Sequence, residues 1–163
     1  MDYGILTTKM SQKTWLMKTE PTTYSITDLR RDGVTPWEGI RNYQARNMMM
    51  NDMSVGDQAF IYHSNSRPPG IVGIGVVASA PYPDHFAWDP TSPYFDSASS
   101  PSNPRWWMVD IQFKVEFSSL ISLPQLKQDP HLSDMMVTQR GCRLSIQPVA
   151  KTHFRYIIET YAS

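Results

Sequence analysis

The spacing of apolar residues predicts a chain of short strands separated by turns. The first apolar run ends before Pro21, whose missing amide hydrogen cannot extend a strand. Later runs are rich in aromatic and β-branched residues, which favour a pleated sheet. The predicted strands are residues 14–19, 58–63, 71–79, 106–117 and 144–149.

Capping signals predict short helices between these strands. Ser25 and Asp28 form a weak capping box, which opens a helix that ends near Arg31. Asn42 is a good N-cap for a second helix over about residues 43–52. Strands mixed with short helices indicate an α+β domain, and 163 residues are enough for one such domain with a real core.

Two further helices are predicted in the last third of the chain. Pro124 suits the first turn of a helix that ends near residue 128. Thr152 is expected to cap a final helix through about residue 160. The apolar side chains at core spacing in this final helix are Phe154, Ile157, Ile158 and Tyr161.

The predicted strand over residues 106–117 has one plainly apolar face and one mixed face. Trp107, Val109 and Ile111 begin the apolar face, which we expect to pack in the core. Trp106 stands out on the mixed face as a candidate for a binding site. A register shift of one residue would exchange the two tryptophans, because neighbouring strand residues point to opposite sides.

Two segments show no helical or strand pattern. Residues 81–104 are rich in Pro, Ser and Asp, and this length predicts a functional lid or a mobile loop. Residues 1–12 are interpreted as a disordered N-terminal extension, so the expected domain spans residues 13–163.

Composition excludes several classes of protein. The net charge is zero, with 15 basic and 15 acidic residues, so any attraction to nucleic acid must come from a local patch. Four basic residues and no acid lie between positions 135 and 158, whereas residues 68–104 contain acids but no Lys or Arg. A small protein that binds nucleic acid could use this asymmetry of charge, but an ordinary solvated surface would also explain it. We expect no membrane association, because no apolar run approaches the ~20 residues of a membrane span.

Catalytic and metal-binding motifs are weak or missing. The run from Gly73 to Ala78 matches a dinucleotide-binding fingerprint, but it is β-branched and follows a turn, so a strand is the better interpretation. The histidines have no metal-ligand spacing. Cys142 is the single cysteine, which suits a reducing cytosol. It could act as a catalytic nucleophile only with a histidine that is distant in sequence. We therefore expect no enzyme, no metal and no cofactor.

The most informative stretch is residues 37–47, Trp-Glu-Gly-Ile-Arg-Asn-Tyr-Gln-Ala-Arg-Asn. Aromatic faces can sandwich a flat ring, amides can read its edge, and arginines can hold a nearby phosphate. This mixture favours a nucleobase as ligand. A turn leading into a helix, with half-buried rings, would explain the same residues.

Several motifs in order resemble the EVE domain family over roughly residues 13 to the end. They are Trp-Leu-Met-Lys-Thr-Glu-Pro at 15–21, Tyr-Ser at 24–25, the run at 37–47, Phe-Ile-Tyr-His-Ser-Asn at 60–65, Tyr-Pro-Asp at 82–84, Tyr-Phe-Asp at 94–96, Pro-Arg-Trp-Trp-Met-Val-Asp at 104–110 and Arg-Leu-Ser-Ile-Gln-Pro-Val at 143–149. The family is similar to PUA-like and YTH folds and is associated with recognition of modified bases. The resemblance implies a PUA-like, curved, barrel-like mixed sheet with short flanking helices.

The resemblance also implies a non-catalytic site for a flipped base. Trp37, Tyr43 and Trp106 are the expected stacking walls. Expected to line the cleft or read base edges are Lys18, Asn42, Ser64 and Asn65; expected at phosphates or the rim are Arg41, Arg46 and Arg143.

The implied ligand is a modified nucleobase, in the first place 5-methyl- or 5-hydroxymethylcytosine in DNA. The alternative is a PUA-like accessory domain that binds RNA or tRNA. We expect a monomer or weak dimer in the cytoplasm, associated with the nucleoid if the protein is bacterial, or in the nucleus if it is eukaryotic.

Overall fold

A computed structural model describes residues 12–162, and the expected disorder of the N-terminal extension falls almost wholly outside this range. A curled six-stranded sheet with short helices confirms the predicted α+β class and barrel-like mixed sheet. The strands are β1 (Thr14–Thr19), β2 (Val34–Pro36), β3 (Gln58–His63), β4 (Gly70–Val77), β5 (Tyr82–Pro83), β6 (Trp107–Met108), β7 (Asp110–Ser122) and β8 (Ile146–Val149). The α-helices are α1 (Ile26–Asp32), α2 (Tyr43–Asn51), α3 (Leu123–Gln128) and α4 (Lys151–Tyr161).

The main sheet has the order β2-β7-β4-β3-β1-β8, and β5 pairs with β6 separately. β1 and β3 are parallel, with Lys18 opposite Tyr62 and Thr19 opposite His63. The other pairings in the main sheet are antiparallel. The carboxyl ends of two central strands therefore meet at one edge, where the chain leaves both strands in loops.

Both faces of the sheet are covered, which explains the nearly continuous apolar runs of its central strands. Trp15 and Met17 of β1 pack on one face with α1 and α2. Leu16, between them in sequence, packs on the other face with Phe60 of β3 and Phe154 of α4. The alternation along β1 thus supplies two separate hydrophobic cores.

The capping predictions hold for the first two helices. The Ser25 hydroxyl accepts from the Asp28 amide and the Asp28 carboxylate accepts from the Ser25 amide, which completes a capping box. The Asn42 side chain accepts from the Ala45 amide at 3.0 Å. In α4, by contrast, the cap position is Ala150 and Thr152 lies inside the helix, so the predicted Thr152 cap is wrong. The helix is held by its buried face instead, which includes Phe154 and Ile157.

The predicted long strand is divided at Val109, so that β6 pairs with β5 and β7 enters the main sheet. Because of this break, the alternation across residues 106–109 fails. Trp106, Met108 and Val109 are all buried, whereas Trp107 is half-buried. Beyond the break, Ile111 packs in the core as predicted.

The two glycines of the fingerprint-like run lie in β4, which confirms the strand interpretation. A side chain at Gly73 would collide with the Val115 carbonyl oxygen. One at Gly75 would lie 2.6 Å from Cγ2 of Ile111. The glycines therefore allow β7 to approach closely, which is a packing role.

The irregular segment at 81–104 is tied to the body of the protein. Asp84 is fully buried and accepts from the Phe86 amide, opening a short 3-10 turn at His85–Trp88. Asp96 accepts from the indole of Trp106 at 2.7 Å. None of the helices described over residues 12–162 is long and apolar enough to cross a membrane.

Asp129 joins α3 to α4 on the face away from the first core. Its carboxylate accepts from the hydroxyls of Tyr161 at 2.6 Å and Tyr156 at 2.7 Å, and from the His131 amide at 2.9 Å. These hydrogen bonds, that of Tyr161 foremost, hold the pKa of Asp129 well below its usual range. A carboxyl with a lowered folded-state pKa stabilises the fold above its unfolded pKa and loses this contribution as pH falls.

We predict that Asp129→Asn is less stable than the parent at neutral pH, and that the difference shrinks as pH falls below about 4. Urea unfolding followed by circular dichroism between about pH 7 and pH 3 measures this. Glu159→Gln, at an exposed carboxylate of α4, is the control. A stability difference that does not change with pH would contradict the assignment.

Candidate functional site

A cleft of about 770 Å³ lies where β1 and β3 end. This volume falls within the ~300–1,000 Å³ typical of small-molecule sites. The strand ends provide one wall, the loop between β2 and α2 provides a second, and the loop before β8 provides a third. The lining residues are Lys18, Thr19, Glu20, Thr23, Tyr24, Thr35, Pro36, Trp37, Glu38, Gly39, Ile40, Ser64, Asn65, Tyr94, Cys142, Arg143 and Ser145.

Gly39 allows the ring of Tyr94 to form part of the cleft wall. Its φ of +85° lies in the region that favours glycine. A Cβ built at this position would lie 2.7 Å from Cε1 of Tyr94, closer than real contacts allow. Gly39 is thus required for two reasons, backbone conformation and the close approach of a ring.

The buried carboxylate of Asp84 fixes this wall from behind. It accepts from the Gly39 amide at 3.1 Å and from Nη1 of Arg41 at 3.0 Å. Arg41 also donates through Nη2 to the carbonyl of Tyr94 at 2.6 Å. One acid and one arginine therefore join the β2–α2 loop to the 81–104 segment.

Arg41, which was predicted at the rim, therefore has a structural role inside the cleft wall. Its guanidinium lies 5.6 Å from the ring centre of Tyr94 and 5.5 Å from that of Trp106. With Asp84 and two carbonyls as partners, most of its donors are used inside the protein. Arg143, by contrast, is exposed at the cleft, and its side chain has no ion pair with another residue of the described range.

Two charged groups of the cleft are partly desolvated. Burial lowers the pKa of Lys18, although the nearby Cys142 thiol opposes the shift. Burial raises the pKa of Glu38, and the negative charge of Asp84 raises it further. Both shifts favour the neutral form, so these groups gain from a ligand that pairs with them.

Asn65 and Glu20 pair across the mouth of the cleft. Nδ2 of Asn65 donates to Glu20 at 3.1 Å, and Asn65 adopts a positive φ of 54°. The Ser64 amide donates to the Thr19 carbonyl, which continues the parallel pairing beyond β1. A backbone hydrogen bond thus holds Ser64 in place, and a side-chain hydrogen bond holds Asn65.

The aromatic part of the cleft consists of Trp37, Tyr24 and Tyr94. Trp37 is only 6% exposed, so it forms a floor rather than an open wall. Tyr24 meets it edge to face, with ring centres 6.4 Å apart. The Tyr24 hydroxyl donates to Asp32 at 2.7 Å, and burial with this neighbouring carboxylate raises the pKa of Tyr24 to about 12.

Tyr43 and Trp106 form a separate cluster outside the cleft lining. Their rings stack at 4.9 Å, and the Arg46 guanidinium lies 4.7 Å from the ring centre of Tyr43. Arg46 also donates to the Arg105 carbonyl at 2.9 Å. Trp106 is 5% exposed and Tyr43 is 50% exposed, so Tyr43 is the solvent-exposed member of this stack.

The structure therefore divides the predicted site residues. Those that line the cleft are Lys18, Trp37, Ser64, Asn65 and Arg143. Those that lie in or beside the separate stack are Arg41, Asn42, Tyr43, Arg46 and Trp106. The three expected stacking rings, Trp37, Tyr43 and Trp106, therefore do not line one cleft. Asn42 caps α2, and Tyr43 covers Trp106.

Sequence reasoning missed Tyr94, Tyr24 and Glu38 as cleft residues. Tyr94 lies 53 positions from Arg41, its hydrogen-bonding partner, so no local pattern could place it. Glu38 is different, because it stands inside the informative run. Its position between Trp37 and Gly39 could have indicated that it lines the cleft.

The cleft can bind a flat ligand with a polar edge. Its floor and sides supply aromatic surface, while Lys18, Glu38 and Ser64 supply donors and acceptors of both kinds. Among residues 12–162, no three His, Cys, Asp or Glu side chains are grouped to hold a metal ion.

A known protein family shares this sequence pattern and this fold. The EVE domain model matches residues 13–160, so the chain belongs to the EVE domain family, which confirms the resemblance. Thymocyte nuclear protein 1 from Gallus gallus is 39% identical over 176 residues, covering 96% of this chain and 72% of the relative. The Homo sapiens protein of the same name is 38% identical over 163 residues, covering 88% and 72%.

Solved structures agree with this assignment. A protein from Pseudomonas syringae superposes with a TM-score of 0.86 at 42% identity, covering 90% of this chain and 97% of that one. Human THYN1 protein, solved in complex with 5-methylcytosine-containing DNA, superposes with a TM-score of 0.84 at 36% identity. That match covers 91% of this chain and 96% of the human one.

We predict that Gly39→Ala displaces Tyr94 and lowers stability by more than the ~1–2 kcal/mol of unfavourable backbone conformation alone. Gly33→Ala is the matched control, because Gly33 has φ +79° and nothing within 4 Å of its would-be Cβ. Thermal unfolding of both variants, with the Tyr94 ring signals followed by NMR, measures the difference. Equal losses, with unchanged Tyr94 signals, would show that the ring contact is unimportant.

Proposed function

We propose that this protein is a non-catalytic module that binds a modified cytosine of DNA in the cleft between the ends of β1 and β3. The observation that carries the proposal is the composition of this cleft, where aromatic surface and polar side chains surround a space large enough to admit a nucleobase. The relative solved with 5-methylcytosine-containing DNA supports the choice of ligand.

A base inside a duplex cannot enter this cleft without rotation out of the stack. Such flipping costs a few kcal/mol, which the cleft must return through ring contacts and edge hydrogen bonds. We assign the ring contacts to Trp37, Tyr24 and Tyr94. Edge contacts fall to Lys18, Ser64 and Asn65, in line with their position at the strand ends.

The separate stack is assigned to the DNA that flanks the flipped base. Tyr43 is half exposed, and Arg46 lies against its ring. An exposed ring with an adjacent guanidinium suits a neighbouring base or its phosphate. In this proposal, Asn42 and Trp106 support Tyr43 from behind.

Function requires access to DNA, so we place the protein with the nucleoid in a bacterial cell or with the nucleus in a eukaryotic cell. The word nuclear in the names of the relatives supports the second location. No chemical turnover forms part of the proposal.

We predict that a duplex with one 5-methylcytosine binds more tightly than the same duplex unmodified, by about 1–3 kcal/mol, because the methyl group adds one small apolar contact. Fluorescence anisotropy with labelled duplexes measures both affinities at one fixed salt concentration. Equal affinities would overturn the proposal. Tighter binding of structured RNA than of either duplex would favour an RNA-binding role instead.

We also predict that Arg143→Ala weakens binding to modified and unmodified duplexes by the same factor. If Arg143 contacts a phosphate, the slope of log K against log salt concentration falls in magnitude by about one. Arg155→Ala, an exposed arginine on α4, is the matched control. A loss confined to the methylated duplex would assign Arg143 to the base instead of the backbone.

A further inference from the structure

Glu38 is the acidic group of the cleft that has no internal partner. Its side chain lines the cleft and is partly buried, but it forms no hydrogen bond or ion pair with another residue of the described range. The other acid of the lining, Glu20, already accepts from Asn65 at 3.1 Å. A partly buried carboxyl without a partner is costly, and a ligand that pairs with it recovers the cost.

The charges around Glu38 leave it available. Asp84 lies behind it, but Arg41 and two backbone amides already satisfy that carboxylate. His85 and Arg41 face Glu38 from its own wall, together with the Tyr94 hydroxyl. The titratable or charged groups elsewhere in the lining are Lys18, Glu20, Tyr24, Cys142 and Arg143.

We propose that Glu38 reads the Watson–Crick edge of the bound cytosine by sharing one proton with N3 while accepting from the N4 amino group. This inference rests on the proposed function. Cytosine presents an acceptor at N3 beside a donor at N4, and a neutral carboxylic acid presents the complementary donor and acceptor. An ionised carboxylate can satisfy only the N4 donor, so the shared proton completes the pair.

The proton comes from water when the complex forms above the pKa of free Glu38. No covalent bond forms or breaks, and the proton lies between one carboxyl oxygen and N3. Burial and the charge of Asp84 raise the pKa of Glu38, which reduces the cost of taking up this proton. Affinity therefore rises as pH falls, by at most about tenfold per pH unit for one proton.

Two substitutions separate the roles of shape and proton. Glu38→Gln keeps a donor and an acceptor at the same positions without needing a proton, so it should bind no more weakly than the parent at every pH tested and lose the pH slope. Glu38→Ala removes both groups and should weaken binding by about 5- to 150-fold, the range of a good bidentate base contact. The edge is the same in both cytosines, so the methylated-to-unmodified affinity ratio should persist in Glu38→Ala.

The test is fluorescence anisotropy of the full chain with one duplex, carrying either 5-methylcytosine or cytosine at the central position, from about pH 5.5 to 8.5. His85→Gln tests whether the slope comes from the neighbouring imidazole, and Glu159→Gln is an exposed acid on α4 that matches the charge change. Both should retain the parental slope. Thermal unfolding of each variant checks that the fold persists.

The outcomes are distinct. A methyl preference in the parent with unchanged affinity in Glu38→Ala would overturn the role of Glu38 and leave the proposed function standing. A pH slope that survives in Glu38→Gln, or disappears in His85→Gln, would overturn the shared proton. Equal parental affinity for both duplexes would overturn the proposed function and this inference with it.

Discussion

The ion pair between Asp84 and Arg41 is the interaction on which the cleft depends. Asp84 is fully buried, and it receives the Arg41 guanidinium at 3.0 Å together with the Gly39 amide at 3.1 Å. The same arginine donates to the Tyr94 carbonyl. Removal of either charge would leave the other inside the wall without its opposite charge, which costs more than the pair itself contributes.

This pair also explains how a protein with no net charge can have a polar cleft of mixed sign. Arg41 neutralises Asp84 inside the wall, so the cleft surface itself carries Lys18 and Arg143 against Glu20 and Glu38. A balanced cleft attracts DNA only weakly through its phosphates. Selectivity must then come from rings and edge hydrogen bonds, which function at short range.

The sheet isolates this cleft from the opposite core. The alternating apolar side chains of β1 and β3 pack into one core on each face of the sheet. On the face opposite the cleft, Asp129 links α3 to α4. The ends of β1 and β3 are thereby held by two independent cores. A site for a flat ligand benefits from this rigidity, because the strand ends do not have to be ordered on binding.

Local signals predicted β1, β3, the capping box at Ser25 and the cap at Asn42, because each is set by residues within a few positions of one another. The same sequence placed Trp37 at a binding site but joined it to Trp106, which the structure stacks under Tyr43 instead. The cleft wall is closed by contacts across 43 and 53 positions of the chain, from Arg41 to Asp84 and to Tyr94. No periodicity of the sequence reflects contacts between residues so far apart. The strands and the helix caps could therefore be derived from sequence patterns. The shape of the cleft depends instead on which distant side chains the folded chain brings into contact.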